Sequence, residues 1–244
     1  MIRGGGHFSG RLTAPLVFAG AVCRQILERK GIYIGAHALS IATIEDAQFD
    51  ATKIDKECLE SLALEYFPVI SSEAKTSMYT EIERARLNCD SVGGVVECAV
   101  IGLPVGLGRH MFGGVENVLS SLIFGIPAVK GLEFGEGFHA SKMKGSEHND
   151  AFYYDGDVVK TKTNHAGGVL GGMTSGMPLL FRTAIKPTAS VSQEQDTVNL
   201  KTQKNDKLTV IGRHDPCIVP RAIPVVESVT AIAIAELMAR SGLL

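Results

Sequence analysis

The run Gly212-Arg213-His214-Asp215-Pro216-Cys217 sets a guanidinium, an imidazole and a carboxylate side by side, and Pro220 to Pro224 then leads into a long apolar stretch. Charges held beside a hydrophobic run favour a charged ligand, because an unpaired buried charge is strongly disfavoured. Near the other end, Gly4-Gly5-Gly6-His7-Phe8-Ser9-Gly10-Arg11 precedes Pro15 in the same arrangement. A guanidinium presents a planar fork of donors that suits phosphate and carboxylate. A helix start adds unsatisfied N–H groups and a positive dipole end. Arg11 and Arg213 are therefore candidates for an anion pocket; the alternative for each is a surface carboxylate partner. Asp215 reads either as a helix cap or as a base or orienter whose charge Arg213 balances. His214 reads first as a packing or hydrogen-bonding histidine. His7 and His165 lie in glycine-rich loops, while His37, His110, His139 and His148 fall into no pattern.

Two further stretches could do chemistry. Asn164 to Gly176 is too dense in glycine for a core element and suits close approach to a flat, phosphorylated cofactor. It fits neither the dinucleotide nor the P-loop spacing. Lys186-Pro187-Thr188-Ala189-Ser190 supplies a cation and two hydroxyls for a phosphate or a ring carbonyl. A tight turn is the plain alternative for both.

These residues sit in a chain of 244, of which 45% are hydrophobic and 20% charged, with a formal net charge of -2. Such a chain can bury a sizeable core, and it has no basic excess that would suggest nucleic acid or an anionic membrane. Its five cysteines, Cys23, Cys58, Cys89, Cys98 and Cys217, form no C-x-x-C pair and no zinc-like set. They read as reduced thiols of a cytoplasmic protein. The start has no signal-peptide pattern, and no uninterrupted apolar stretch has bilayer length.

The elements that must position the candidate residues follow from spacing. Pro15 opens a helix to about Lys30, closed by Arg29-Lys30-Gly31. Ile32–Ile44 reads as one strand or two. Helices are expected over Asp55–Tyr66, Ser72–Leu87 and Val115–Phe124. Strands are expected over Gly93–Gly102, Val129–Phe134, Leu179–Ile185 and Leu208–Ile211. Glu136–Asp157 reads as a long polar loop, and Val219–Ser241 as the second long helix. The mixture without regular βαβ alternation predicts an α+β fold, and no linker divides residues 1–244.

Six segments then carry a resemblance: GGGHFSGRLTAP at 4–15, IPAVKGLEFGEGF at 126–138, GSEHND at 145–150, TNHAGGVLGGMTSGMP at 163–178, KPTAS at 186–190 and GRHDPCIVPRAIPVVE at 212–227. In this order they resemble the chorismate synthases. The resemblance implies a layered sandwich with helices between antiparallel sheets, and a homotetramer. It implies 1,4-trans elimination of phosphate from 5-enolpyruvylshikimate 3-phosphate, giving chorismate, with reduced FMN.

By position, Arg11, Gly10 and Arg213 would bind substrate, with Arg213 also near the flavin. Asp215 would be the acid–base group assisting removal of the C6 proton. His7, Phe8 and Ser9 stand where the family has a flavin-contacting Arg-Ser-Ser. Pro127 and Ala128 replace an Asn-Ala pair, which implies backbone contact. Gly171 and Lys186, Pro187, Thr188, Ala189 and Ser190 match the remaining flavin segments. The family's G-E-S-H-G and R-P-G-H-x-D motifs, each with a catalytic histidine, do not occur in these 244 residues. The expectation is an N-terminally incomplete member. Its alternative is a catalytically impaired fragment that binds flavin or forms oligomers.

Overall fold

The computed structural model describes residues 6–212 and 215–244. Its helices are α1 (Ala14–Glu28), α2 (Lys56–Ala63), α3 (Ser72–Leu87), α4 (Val115–Ile123), α5 (Gly145–His148) and α6 (Val219–Arg240). Four strands and a short edge piece build the main sheet: β1 (Tyr33–Ile41), β2 (Ile44–Glu45), β3 (Gly94–Ile101), β4 (Val129–Phe134) and β9 (Leu179–Ile185). Their order is β2-β1-β3-β9-β4, every pair antiparallel. Three two-stranded ribbons complete the set: β5 (Phe152–Asp155) with β6 (Val158–Thr161), β7 (Val169–Leu170) with β8 (Met173–Thr174), and β10 (Glu194–Asn199) with β11 (Lys204–Thr209). The fold is α+β, as expected.

The sheet has two dissimilar faces because strand side chains alternate. Ile34, Ala36, Ala38, Val96, Cys98, Val100, Leu179, Phe181 and Ile185 turn one way, into a core shared with α6 and α4. A bulge at Leu39 in the β1–β3 pairing lets Ile41 join that same core. Ala99 and Leu180 turn the other way, against Phe49, Leu59 and Leu62 from α2 and the segment before it.

α6 lies on β1 and β3 and is buried along most of its length, from Val219 to Met238. Proline in its first turn presets φ where no intrahelical donor is needed, and the fully buried hydroxyl of Thr230 donates to Val226 O at 2.7 Å. Charges at Arg221, Glu227 and Glu236 interrupt α6, so no uninterrupted apolar stretch has bilayer length, yet by overall composition this one helix is apolar enough to cross a membrane. Val219–Arg240 has the length and a mean hydropathy of 1.7, yet 78% of that window is buried inside the fold. It is a core helix.

α1 crosses α6 at Gly20. A Cβ there would stand 2.3 Å from Ser228 Cβ and 2.6 Å from its carbonyl oxygen, so only glycine permits this approach. The outer side of α1 is unusual for a water-facing helix: Leu16, Phe18, Val22 and Ile26 are exposed, Phe18 at 77%. The positions 18, 22 and 26 form one i, i+4 stripe, and nothing among the described residues covers it.

Two expectations need correction, and one strand was not foreseen. The strand expected over Leu208–Ile211 lies instead at Lys204–Thr209. Glu136–Asp157 is not simply a loop; it contains α5 and the β5 side of an exposed ribbon. Glu194–Asn199 is a strand that the sequence does not announce, because Glu194, Gln195, Asp196 and Asn199 lack the apolar alternation of a half-buried strand. Among the described residues β11 is its one strand partner, so pairing alone defines it.

Gly20→Ala is expected to destabilise the chain by about 1–3 kcal/mol, the usual range for overpacking. Urea denaturation would show this as a lower midpoint at unchanged slope; an unchanged midpoint would mean that the helices separate freely at this crossing.

Candidate active site

The site is assembled by backbone contacts around one short loop, residues 88–93, between α3 and β3. Val92 N donates to Pro216 O at 2.8 Å, which fixes the position of the Asp215-Pro216 segment. Ser91 Oγ donates to Thr188 O at 2.6 Å, and Ser192 N donates to Cys89 O at 3.2 Å. Gly93 passes so close to β9 that a Cβ would lie 2.3 Å from Ile185 O and 3.0 Å from Pro187 Cδ. On the far side of β9, Lys186 N donates to Ala128 O at 2.9 Å. Ala128 holds φ at 73°, a left-handed conformation that a residue with a Cβ adopts only when its surroundings impose it.

Three predicted pieces, Pro127-Ala128, Lys186 to Ser190 and Asp215-Pro216, thus meet in one row around the 88–93 loop. The bridging residues Ser91, Val92 and Gly93 were not among the candidates. They act through backbone or a single hydroxyl, and only the glycine pair Gly93-Gly94 before an apolar strand hints at a close approach.

Asp215 has a partner that sequence reasoning missed. Its Oδ2 lies 2.7 Å from Arg221 Nη1, one turn into α6, with the side chains 40% and 68% exposed. At that exposure the pair is worth ~0–1 kcal/mol, so it orients the carboxylate more than it stabilises the fold. Arg213, expected to balance Asp215, lies outside the described residues, as does His214.

Beside Asp215 is a cavity of about 540 Å³ lined by Tyr66, Phe67, Tyr79, Arg221 and Glu227 among others. Two of its lining residues, Glu227 and Pro68, reach the open edge of β1. There, Ala36 N donates to Glu227 Oε1 at 2.9 Å and Ala38 N donates to Pro68 O at 3.0 Å. Glu227 Oε2 also meets Arg24 Nη1 at 3.3 Å. Burial pushes the Glu227 carboxyl up to about 6, against the opposing pull of Arg24 and the Ala36 N–H.

Two predicted pieces have no hydrogen bond or ion pair to this row among the described residues. Gly171 sits at the β7–β8 turn with φ at 61° and open space around it. Gly172 O, next to it, accepts from Val115 N at 2.8 Å at the start of α4. From there α4 runs nine residues to Ile123, about 13 Å along its axis, and Ala128 follows in the turn before β4. His7, Phe8, Gly10 and Arg11 are exposed, and Ser9 Oγ accepts from Arg11 N at 3.3 Å. No hydrogen bond or ion pair among the described residues ties them to Asp215 or Lys186.

The glycine-rich stretch is held by two polar staples. Asn164 Nδ2 donates to Ala51 O at 2.9 Å and to Pro178 O at 2.8 Å. Asp150 accepts from Thr163 Oγ1 at 2.7 Å, His165 N at 2.8 Å and Ala166 N at 3.0 Å. Burial alone would raise the Asp150 carboxyl, but these donors outweigh it and hold it below the usual range.

A phosphorylated flavin fits the row on three observations. Thr188 Oγ1 is buried without a hydrogen-bond partner among the described residues, a polar atom awaiting one. The exposed Lys186 supplies a cation beside it. Ala128 offers strained backbone on the opposite side of the strand end.

An antiparallel α+β scaffold with a lysine- and hydroxyl-bearing turn and a carboxylate gathered around one loop is the class that fold and geometry define. The sequence profile described as chorismate synthase matches residues 1–239. Relatives of that name include one from Dehalococcoides mccartyi, 43% identical over 249 residues, covering 99% of this chain and 65% of the relative. One from Pyrococcus abyssi is 46% identical over 234 residues, covering 96% of this chain and 64% of the relative. A crystal structure of chorismate synthase superposes with a TM-score of 0.75 at 28% identity, over 96% of this chain and 64% of the other. The chain belongs to the chorismate synthase family. It spans about 65% of the length of the curated relatives it matches.

Because the Glu227 carboxyl is raised in the fold, folding takes up a proton at this group. Stability is therefore greatest below its ordinary value of 4.5 and falls as the pH rises from there through about 6. The step is about 2 kcal/mol at one pKa unit per 1.4 kcal/mol. Unfolding free energies from urea denaturation of wild type and Glu227→Gln, compared at pH 4.5 and 6.5, should differ in their pH response by about 1.5 kcal/mol, the part of the step inside that window. Parallel responses would contradict the assignment.

Proposed function

We propose that this chain carries the chemistry of a chorismate synthase: 1,4-trans elimination of phosphate from 5-enolpyruvylshikimate 3-phosphate, giving chorismate, with reduced FMN. The observation that carries this reading is the convergence of Ala128, Lys186 to Ser190 and Asp215 around the 88–93 loop, in a chain matched by the family profile over residues 1–239.

In this reading the residues divide the work by chemistry. Lys186, Thr188 and Ser190 hold a phosphorylated cofactor with a cation and hydroxyls. Pro127, Ala128, Ala189 and Gly171 offer backbone to it, and His7, Phe8 and Ser9 close over it from the α1 side. Bound reduced FMN supplies an electron-rich ring that favours departure of phosphate. Arg11, Gly10 and Arg213 grip the phosphate and carboxylates of the substrate, which lowers the charge cost of the leaving group. Asp215, oriented by Arg221, is the carboxylate that assists removal of the C6 proton. Assembly as a homotetramer belongs to the same reading.

A second reading has one specific support. About a third of each relative lies outside the matched region, and the α1 stripe Phe18, Val22 and Ile26 is exposed. The 244 residues contain neither catalytic-histidine motif. On this reading they bind flavin without appreciable turnover. Acid–base groups contribute roughly 10²–10⁴-fold each, and groups acting as a unit are not additive.

The assay is anaerobic, with the purified chain, excess FMNH₂ and substrate, and chorismate followed by absorbance. Turnover is expected to be hard to detect for the chain alone. It should be restored when the N-terminal third of the Dehalococcoides relative is fused ahead of it. In that fusion Asp215→Ala should lower kcat by about 10²–10⁴-fold while leaving FMN affinity within a few-fold. An unchanged kcat would remove Asp215 from the chemistry, and full turnover by the unfused chain would overturn the second reading.

A further inference from the structure

Crossing the sheet on the face away from α6 is a row of charges in register. His37 of β1 faces Glu97 of β3, Glu97 faces Arg182 of β9, and Arg182 faces Glu133 of β4. Asp46, just past β2, closes the row at the β1 end. His37 Nδ1 lies 3.1 Å from Asp46 Oδ2, and His37 Nε2 lies 3.0 Å from Glu97 Oε2. At the other end Arg182 Nε lies 3.1 Å from Glu133 Oε1. The side chains of His37 and Asp46 have no solvent exposure.

Both oxygens facing the imidazole are already acceptors. Asp46 Oδ2 takes the Ile70 N–H at 2.6 Å, and its Oδ1 takes the Ser71 N–H at 2.9 Å. Glu97 Oε2 takes the Phe49 N–H at 2.8 Å. A neutral imidazole has one N–H and one lone pair. In either tautomer it would set a lone pair against a buried carboxylate oxygen. Only the imidazolium donates to both. Phe49 closes the pocket with its ring edge-on, 4.7 Å from the His37 ring.

The other ionisable groups around this face are engaged elsewhere. Asp50 caps its own turn at Thr52 and Lys53. Lys56 pairs with Glu60 and lies over the Tyr33 ring. Lys75 of α3 pairs with Glu65. Cys58 is raised by burial and by Asp55. Arg182 bonds Glu133 and the Gly135 carbonyl. Arg24 and Glu227 belong to the opposite face.

We propose that His37 is held as an imidazolium and acts as a proton-dependent latch between the sheet and the wall of the cavity beside Asp215. The connection runs through Asp46 to the Ile70-Ser71 start of α3, directly after the Phe67-Pro68 wall, and through Glu97 to Phe49. It stands on this geometry alone and does not depend on the proposed reaction.

The direction of pH dependence follows from the two partners. Burial lowers the His37 pKa, but the bonds to Asp46 and Glu97 outweigh it, and the net shift is upward from 6.5. The stability that His37 contributes is fully present below 6.5 and is lost as the pH rises through its folded value. Burial raises Asp46, but His37 and the Ile70 and Ser71 N–H groups outweigh it, and the net shift is downward from 3.8. Its contribution is present above 3.8 and is lost as the pH falls through its folded value. The latch is closed between those limits.

The test is a histidine-selective ¹⁵N NMR titration of the wild-type chain, with amide exchange measured over the same pH range. At pH 7 both ring nitrogens of His37 should be protonated. Above 6.5 the opening constants at Phe49, Ile70 and Ser71 should rise about tenfold per pH unit beyond chemical exchange, up to the folded pKa. In His37→Gln that added pH step should vanish while the exchange of α6 keeps its wild-type pH response. A single neutral tautomer at pH 7 would overturn the proposal. So would protection at these three amides that ignores the titration of His37. If His37→Gln does not fold, the wild-type titration decides alone.

Discussion

The open edge of β1 is the constraint around which this structure is arranged. β2 pairs only with Ser40 and Ile41, so the outward N–H groups of Ala36 and Ala38 have no strand partner. An unpaired edge invites association with other strands, and here it is closed from within. Glu227 of α6 takes the Ala36 N–H and Pro68 O takes the Ala38 N–H. Those two bonds draw the start of α6 and the α2–α3 connection to the same edge. The cavity beside Asp215 is the space they leave. Glu227 also meets Arg24, so the bond that closes the edge sets the α1–α6 crossing as well.

Burying a carboxylate there opposes the charged form, and the raised Glu227 pKa records the compromise. On the opposite face His37 solves a related problem with charge of both signs. One face of the sheet is thus mainly apolar against α6, and the other carries a buried ionic row. Breaking either partner of such a buried pair leaves a charge uncompensated, which is far more damaging than the pair is stabilising.

Much of the scaffold was legible in the sequence, for physical reasons. Val129–Phe134, Leu179–Ile185 and Ser72–Leu87 match their expected limits. The strands carry dense β-branched and apolar residues, and Ser71 caps α3 with its side chain accepting from Ala74 N. β10 and the β5–β6 ribbon were not legible because they are exposed and polar or uniformly mixed, so no face imposes a period on them. The site was legible only in part. Lys186 to Ser190 and Asp215 stand out by residue type. Their meeting depends on the Ser91 hydroxyl and on the Val92 and Ala128 backbones, and backbone contacts leave no chemical mark in a sequence. Arg221 was hidden by its place inside an apolar helix. His37 fell into no pattern because its partners lie 9 and 60 positions away.

The most direct measurement of the account is a hydrogen-exchange footprint of reduced FMN on the chain under anaerobic conditions. The account predicts added protection at residues 91–93, 127–129 and 186–191 together, with residues 216–218 responding in the same step, since all four meet in one row. The β10–β11 ribbon should not respond. Binding that leaves the Lys186 to Ser190 segment and the 88–93 loop unchanged would contradict the account, as would the absence of any binding by the folded chain.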